Sequence, residues 1–454
     1  MKIFVKILSL LGLTFCLILL SCKRGKTSDI GLVVLDPGHF HSSLVLQDKI
    51  DGIRELVYVY APEGEGVEQY LKSVESYNER EKGATAWKNK VYIGEDYLEK
   101  MLSDKKGEVV VLAGDNQKKT KYIIESVKAG YHVLSDKPMA ICEEDFELLR
   151  QAYEIADSKG LVIYELMTER YDILNIVEKK IMGDTSVFGT LVKGTKQEPA
   201  IDLESVHHFY KKVSGKPLIR PAWYYDVKRQ GEGLADVTTH LIDLVQWQCF
   251  PEQGLDSYKD IELLEASRYP TKISREQFSR STKEEDFPDY LKSLIKDESI
   301  EVMANGSMDF KIKGIHSRIS VKWNYEAPEG GGDSFYSIKR GTKATLNIIQ
   351  SSLTGFTRQL FISDANNVDK KDIENLLGNL KTEYPFISFK KTGAGNYMVD
   401  IPAENRLGHT EHFGRVARKF FGYIREGGAP AWEKENVLSK YRLTTQAVKL
   451  SSER

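Results

Sequence analysis

VVVLAGDNQKKTKYIIESVKAGYHVLSDKP, residues 109 to 138, decides the fold. Val109 to Ala113 is an unbroken run of β-branched and apolar residues. Strands buried on both faces read this way. It ends at Gly114-Asp115-Asn116, and Lys119 to Ala129 then reads as a helix closed by Gly130. Tyr131 to Leu134 is the next apolar run, ending at Asp136-Lys137-Pro138. A strand, a helix and a strand in succession predict a crossover unit in a parallel sheet.

The same texture extends both ways. Upstream, Ile30 to Leu35 (IGLVVL) is a strand, followed by Asp36-Pro37-Gly38-His39-Phe40-His41 and a helical pattern over Ser42 to Ile50. Leu56 to Tyr60 (LVYVY) is another strand. Downstream, Glu143 to Ser158 is a helix closed by Gly160, and Leu161 to Tyr164 a further strand. The expected fold class is α/β: a Rossmann-like doubly wound parallel sheet over residues 30–172. In such sheets ligands sit beyond the carboxyl ends of the strands, so the loops at Asp36, Asp115 and Asp136 converge on one crevice.

Beyond about residue 175 the pattern changes. Val187 to Lys193, Ile300 to Met303, Met308 to Ile312 and Arg318 to Trp323 read as strands with few helices between them. They predict an α+β domain over residues 173–454 with a large, mostly antiparallel sheet. Glu329 to Gly332 marks a loop, and Glu411 to Gly427 and Lys440 to Ser451 are helical, placed to pack back on the first domain.

With 454 residues, 41% of them hydrophobic, the chain is long enough for two domains with sizeable cores. A net charge of -2 argues against nucleic acid as a partner. Met1 to Cys22 reads as an export signal: Lys2 and Lys6, an apolar run from Ile7 to Leu20, then Leu19-Leu20-Ser21-Cys22 in the form of a bacterial lipobox. Cys22 is the expected lipidation site, residues 23–29 a polar tether, and the body an exported protein anchored at the cell envelope, periplasm-facing. Cys142 and Cys249 are left over; free thiols are expected, and no zinc-type spacing occurs.

Chemistry concentrates in two stretches. Gly231 to Trp247 (GEGLADVTTHLIDLVQW) runs from a glycine-rich entry into an amphipathic helix. Asp236, His240, Asp243 and Trp247 recur on one face. An imidazole one turn from a carboxylate can take a proton from a substrate hydroxyl, the acid fixing its tautomer. The plainer reading is a helix whose His and Asp satisfy each other. Lys137, delivered before Pro138 at the mouth of the sheet, can donate to a substrate oxygen and favour its alkoxide character. A solvated lysine is the plainer reading there.

Taken together these stretches resemble the Gfo/Idh/MocA oxidoreductases, which include glucose–fructose oxidoreductase and inositol dehydrogenase. The likeness rests on the Rossmann-like half, Asp136-Lys137-Pro138 where Glu-Lys-Pro is usual, and the Asp236, His240, Asp243, Trp247 series. It also rests on Tyr164 to Arg170, on Trp223-Tyr224-Tyr225-Asp226, and on the C-terminal stretch around Gly414 to Trp432. The resemblance implies hydride transfer between a sugar or glycoside carbon and tightly bound NAD or NADP. It implies that Lys137 contacts nicotinamide and substrate, that His240 is general base, and that Asp236 binds substrate and orients His240. Arg170, Trp223, Asp226 and Asp243 would line the sugar pocket. Gly38, His39, Phe40, Asp115, Asn116, Asp136 and Lys137 would hold the cofactor. Relatives often form homo-oligomers through the open sheet of the second domain.

The chain departs from the dinucleotide fingerprint G-x-G-x-x-G, offering Asp36, Gly38 and His41 in its place. Asp36 would repel a pyrophosphate unless it points away. His39 and His41 form a His-x-His pair with no third metal ligand nearby in the sequence, so no metal is expected. No acid closes the second strand, which ends Tyr60-Ala61-Pro62, so NAD and NADP are not distinguished. Two other readings use the same residues: a redox-neutral NAD-dependent glycoside hydrolase or lyase, and a non-catalytic sugar-binding lipoprotein on a degenerate scaffold.

Overall fold

Six strands close the first domain: β1 (Ile30–Leu35), β2 (Ile53–Ala61), β3 (Lys88–Ile93), β4 (Val109–Leu112), β5 (His132–Ser135) and β6 (Ile163–Glu165). All pair in parallel, in the order β3-β2-β1-β4-β5-β6. This is the dinucleotide-binding order, with its switch point between β1 and β4. The computed structural model describes residues 29–213 and 215–453. The signal segment with Cys22, and the tether up to residue 28, lie outside them.

β1 and β4 are buried along their whole length, as their unalternated apolar sequences require. β3, largely exposed, is an edge strand with no such signature. One expectation fails beside β1. The helix over Ser42 to Ile50 is a single turn, His41–Leu44. The Ser42 and Ser43 hydroxyls bond back to the His39 and Phe40 carbonyls at 2.8 and 2.9 Å, a local alternative to helix growth.

The second domain is built on β7 (Ile201–Tyr210). A two-residue ribbon, β8 (Lys212–Val213) with β9 (Lys216–Pro217), follows. Then come β10 (Ile261–Ser274), β11 (Ile295–Lys296), β12 (Ser299–Ile312), β13 (Ile315–Glu326), β14 (Ser334–Arg340), β15 (Thr345–Gln350), β16 (Gln359–Ser363), β17 (Ser388–Gly393) and β18 (Asn396–Asp400). The large sheet runs β10-β12-β13-β7-β14-β15-β16-β18-β17, with β11 on β12. Every pairing is antiparallel except β13 with β7. Val187 to Lys193 is not a strand: Gly189 has φ +75°, and only Leu191 makes an isolated bridge, to Gly341.

Four helices, Ile173–Met182, Thr238–Cys249, Lys370–Glu383 and Ala431–Ser452, bury apolar side chains in the core of the large sheet. The two C-terminal helices also complete the first domain. His409–Glu426 places Phe413, Val416, Phe420 and Phe421 in the core beneath β1 and β2. Ala431–Ser452 sends Val437 and Tyr441 into the core on the other face of that sheet. Cys142 and Cys249 are both free.

Candidate active site

The glycine-rich entry has a steric explanation. Gly231 takes φ +91°, and a Cβ there would lie 2.9 Å from the Ile141 side chain. A Cβ on Gly233 would sit 2.0 Å from the Ala304 carbonyl oxygen of β12. Only glycine lets this loop thread between the turn after Pro138 and the large sheet. The helix Thr238–Cys249 then begins at the crevice.

Lys137 and Asp236, far apart in the chain, meet as a largely buried ion pair. The other Asp236 oxygen accepts from Gln230 Nε2 at 3.0 Å. Burial opposes the Lys137 charge, but Asp236 and Asp136 outweigh it, so its ammonium is held more firmly than in water. One turn along, His240 is partly buried. Burial first, then the Lys137 ammonium, push its imidazole down to about 3. Its Nδ1 is buried with no hydrogen-bond partner among the described residues. The arrangement sets a fixed cation, a fixed anion and a neutral imidazole with an uncommitted, buried nitrogen within electrostatic reach of one another.

Two groups that sequence reasoning passed over act on the same imidazole. Glu169 and His409 both lie within its electrostatic reach. Glu169 pairs with Arg358 at 2.6 Å. Burial raises the Glu169 carboxyl, but Arg358 and His240 outweigh it and hold it at about 2. The network runs on: Arg358 Nε donates to Gln350 Oε1 at 3.2 Å, and Gln350 Nε2 to the Asp333 carbonyl at 3.0 Å. The Asp333 carboxylate accepts from Lys211 and bonds His207 and His208 at 3.2 and 3.1 Å. Glu169 adjoins Arg170 in the stretch Tyr164 to Arg170 and carries no separate sequence signal; nothing around Arg358 signals a role.

Arg170 and Asp243, expected in the sugar pocket, are tied into a buried ion-pair network. Arg170 Nε and Nη2 donate to Asp243 at 2.7 Å each, and Nη1 donates to Glu433 at 2.9 Å, all buried. Lys440, fully buried, adds a bond to Glu165 and a 3.4 Å contact to Asp243. Tyr441 donates to Glu165 and accepts the Met139 amide at 2.7 Å, fixing the chain just beyond Lys137. This network positions the site rather than binding a sugar. Asp226 is also structural: it is buried and caps the turn Val227–Gln230 through the Lys228 amide at 3.0 Å. Trp223 stacks against Arg229, while Tyr224, Trp323 and Gln230 share a small cavity with Asp236. The aromatic wall nearest Asp236 is therefore Tyr224 and Trp323.

On the cofactor side, Gly38, Gly66 and Gly114 bring two loops and the start of the helix Glu65–Asn78 into close backbone contact. A Cβ on Gly66 would lie 2.9 Å from Gly38 Cα, and one on Gly114 2.5 Å from the Asp36 carbonyl. The Asp36 carboxylate turns away to Tyr122 Oη at 2.7 Å, which removes the repulsion expected of it. Asp115 and Asn116 are corrected: Asp115 caps its helix and pairs with Arg229 at 3.1 Å, and Asn116 bonds the Gln230 carbonyl and Lys119. Their side chains clasp the second domain. Phe40, 56% exposed, stands at the crevice mouth against His39 and His41. Lys137 and Asp236 are the groups a nicotinamide and its substrate would meet, with His240 packed behind them and its Nδ1 buried. The single-turn helix after β1 offers a dinucleotide no helix N-terminus.

This fold and site define a two-domain oxidoreductase with an NAD-binding Rossmann domain. The family model described as "Oxidoreductase family, NAD-binding Rossmann fold" matches residues 33–166, and "Putative oxidoreductase C terminal domain" matches residues 177–452. The chain belongs to the Gfo/Idh/MocA oxidoreductase family. It is 44% identical, with a TM-score of 0.91, to a crystal structure described as a "putative oxidoreductase" from Parabacteroides merdae ATCC 43184, covering 94% of this chain and 98% of that one. A Thermotoga maritima protein described in the same terms is 16% identical, with a TM-score of 0.60 and coverage of 94% and 99%. Levoglucosan dehydrogenase in complex with NADH and L-sorbose is 13% identical, with a TM-score of 0.60 and coverage of 93% and 97%. These two share the fold. No curated protein matches the chain.

Proposed function

We propose that the protein is a nicotinamide-dependent dehydrogenase acting on a hydroxyl carbon of a sugar or glycoside. The observation that carries this is the convergence of Lys137, Asp236 and His240 on one crevice. Bound nicotinamide would supply the two-electron acceptor. Lys137, kept cationic, would donate to the reacting oxygen and stabilise its developing charge. His240, kept neutral, would take the hydroxyl proton, and Asp236 would hold the ammonium in place while accepting from a neighbouring hydroxyl. Tyr224 and Trp323 would bound the sugar face. Support for the substrate class comes from levoglucosan dehydrogenase, crystallised with NADH and levoglucosan.

Denaturing the purified protein and assaying for released nicotinamide, then adding NAD or NADP with a panel of glycosides, tests the reading. A substrate-dependent rise in reduced nicotinamide is expected. Product without net reduction would instead support the redox-neutral cycle. No released cofactor and no binding of added NAD(H) or NADP(H) would overturn both.

The same proposal puts the protein at the cell envelope, held by a lipid on Cys22. Expressed in a bacterium, the chain is expected in the membrane fraction, and Cys22→Ala in the soluble periplasmic fraction. Equal partition of the two would remove the anchor.

A further inference from the structure

We propose that His39, His41 and Asp136 form a binding site for a divalent first-row transition-metal ion. The sequence shows only a His-x-His pair; the fold supplies the third ligand from the end of β5. His41 Nδ1 lies 3.0 Å and His39 Nδ1 3.6 Å from the same Asp136 oxygen. One ligand atom from each residue falls within 4.8 Å of the other two. Bonds of about 2.1 Å in a tetrahedral shell set ligand atoms about 3.4 Å apart, so the cluster is already near coordinating size.

Lys119 and Lys137 act on this cluster only at a distance. Asp136 is a carboxylate 4% exposed, and neither lysine beside it is bonded to it. Lys119 donates to Asn116 and, at 3.4 Å, to the Lys137 carbonyl; Lys137 pairs with Asp236. Among the described residues, the ion-pair partners of the carboxylate within 4 Å are the two imidazoles. The remaining polar amide contact of His39 Nδ1, from the His41 N–H, is a long 3.5 Å.

Two imidazoles and one carboxylate suit Zn²⁺, Co²⁺, Fe²⁺ or Mn²⁺ better than Mg²⁺ or Ca²⁺, which prefer all-oxygen shells. Three protein ligands leave coordination positions open. The His39 side chain is 26% exposed, so an ion can reach the cluster from solvent.

The test is run without nicotinamide or sugar, so its failure and that of the dehydrogenase reading are separate. The purified full chain, stripped with chelator, is titrated with Co²⁺ alone. A visible absorption band saturating at one equivalent and displaced by Zn²⁺ is expected. His39→Ala and Asp136→Asn should each weaken binding by about 100-fold or more, since even outer-shell partners of metal ligands are worth up to that. No band, or a band that survives both substitutions, overturns the site. If either variant fails to fold, Zn²⁺ titration of the wild-type chain followed by imidazole ¹⁵N resonances decides. Shifts confined to His39 and His41 support the site, and shifts only at other histidines overturn it.

Discussion

Turnover of a glycoside by the His240→Ala variant is expected to fall by about 10²- to 10⁴-fold, the usual worth of a positioned general base. NADH affinity should change little, because the imidazole acts on the substrate proton. The pH profile carries the sharper expectation. His240 is held at about 3 against an ordinary 6.5, so it is already neutral above that range. The acid limb of kcat/KM should therefore not fall near pH 6.5. Lys137→Ala removes the largest of the charges depressing the imidazole, so His240 should titrate at higher pH, visible in its imidazole proton shifts. Stability follows the same sign. The folded chain refuses a proton that the unfolded chain accepts, so stability is full above about 6.5 and is lost as pH falls toward 3. Unchanged turnover in His240→Ala would sink the assignment of the base.

Arg170→Ala should destabilise the protein by about 3–5 kcal/mol, the cost of leaving buried charges without their partner. Asp243 and Glu433 would both be stranded. Burial alone would raise the Asp243 carboxyl; Arg170 and then Lys440 hold it at about 2, and the Arg170 part of that support would go. Chemical denaturation at neutral pH measures the loss. Replacing Arg170, Asp243 and Glu433 together by apolar residues of similar volume should cost less than the single change, because no charge is then left unpaired. A sugar-pocket arginine would behave differently, raising KM with the unfolding midpoint unmoved.

The two halves of the chain were legible to different degrees. β1, β4 and β5 announce themselves because strands covered on both faces need uninterrupted apolar runs. β3, exposed at an edge, has no such requirement and passes unseen. Lys137, Asp236 and His240 were legible because a turn before proline and a helical repeat fix where each side chain goes. Arg170 and Asp243 were read with the right elements and the wrong direction. Residues sharing a helical face in sequence can still look toward different neighbours. Here the last long helix, Ala431–Ser452, takes the positions a sugar was expected to fill, and no local pattern reveals a helix arriving from so far along the chain. The third member of the His39–His41–Asp136 group was invisible for the same reason: it stands 95 residues away.

Tyr441 reaches back 302 positions to the Met139 amide, and Lys440 reaches back 275 to Glu165. The first domain is thus finished by residues that leave the ribosome after the second. Its strands can pair early, but the lysine turn cannot settle until the far end of the polypeptide arrives, which makes assembly slow and dependent on distant contacts. A half-synthesised copy therefore cannot lock this domain shut before its last helix is made.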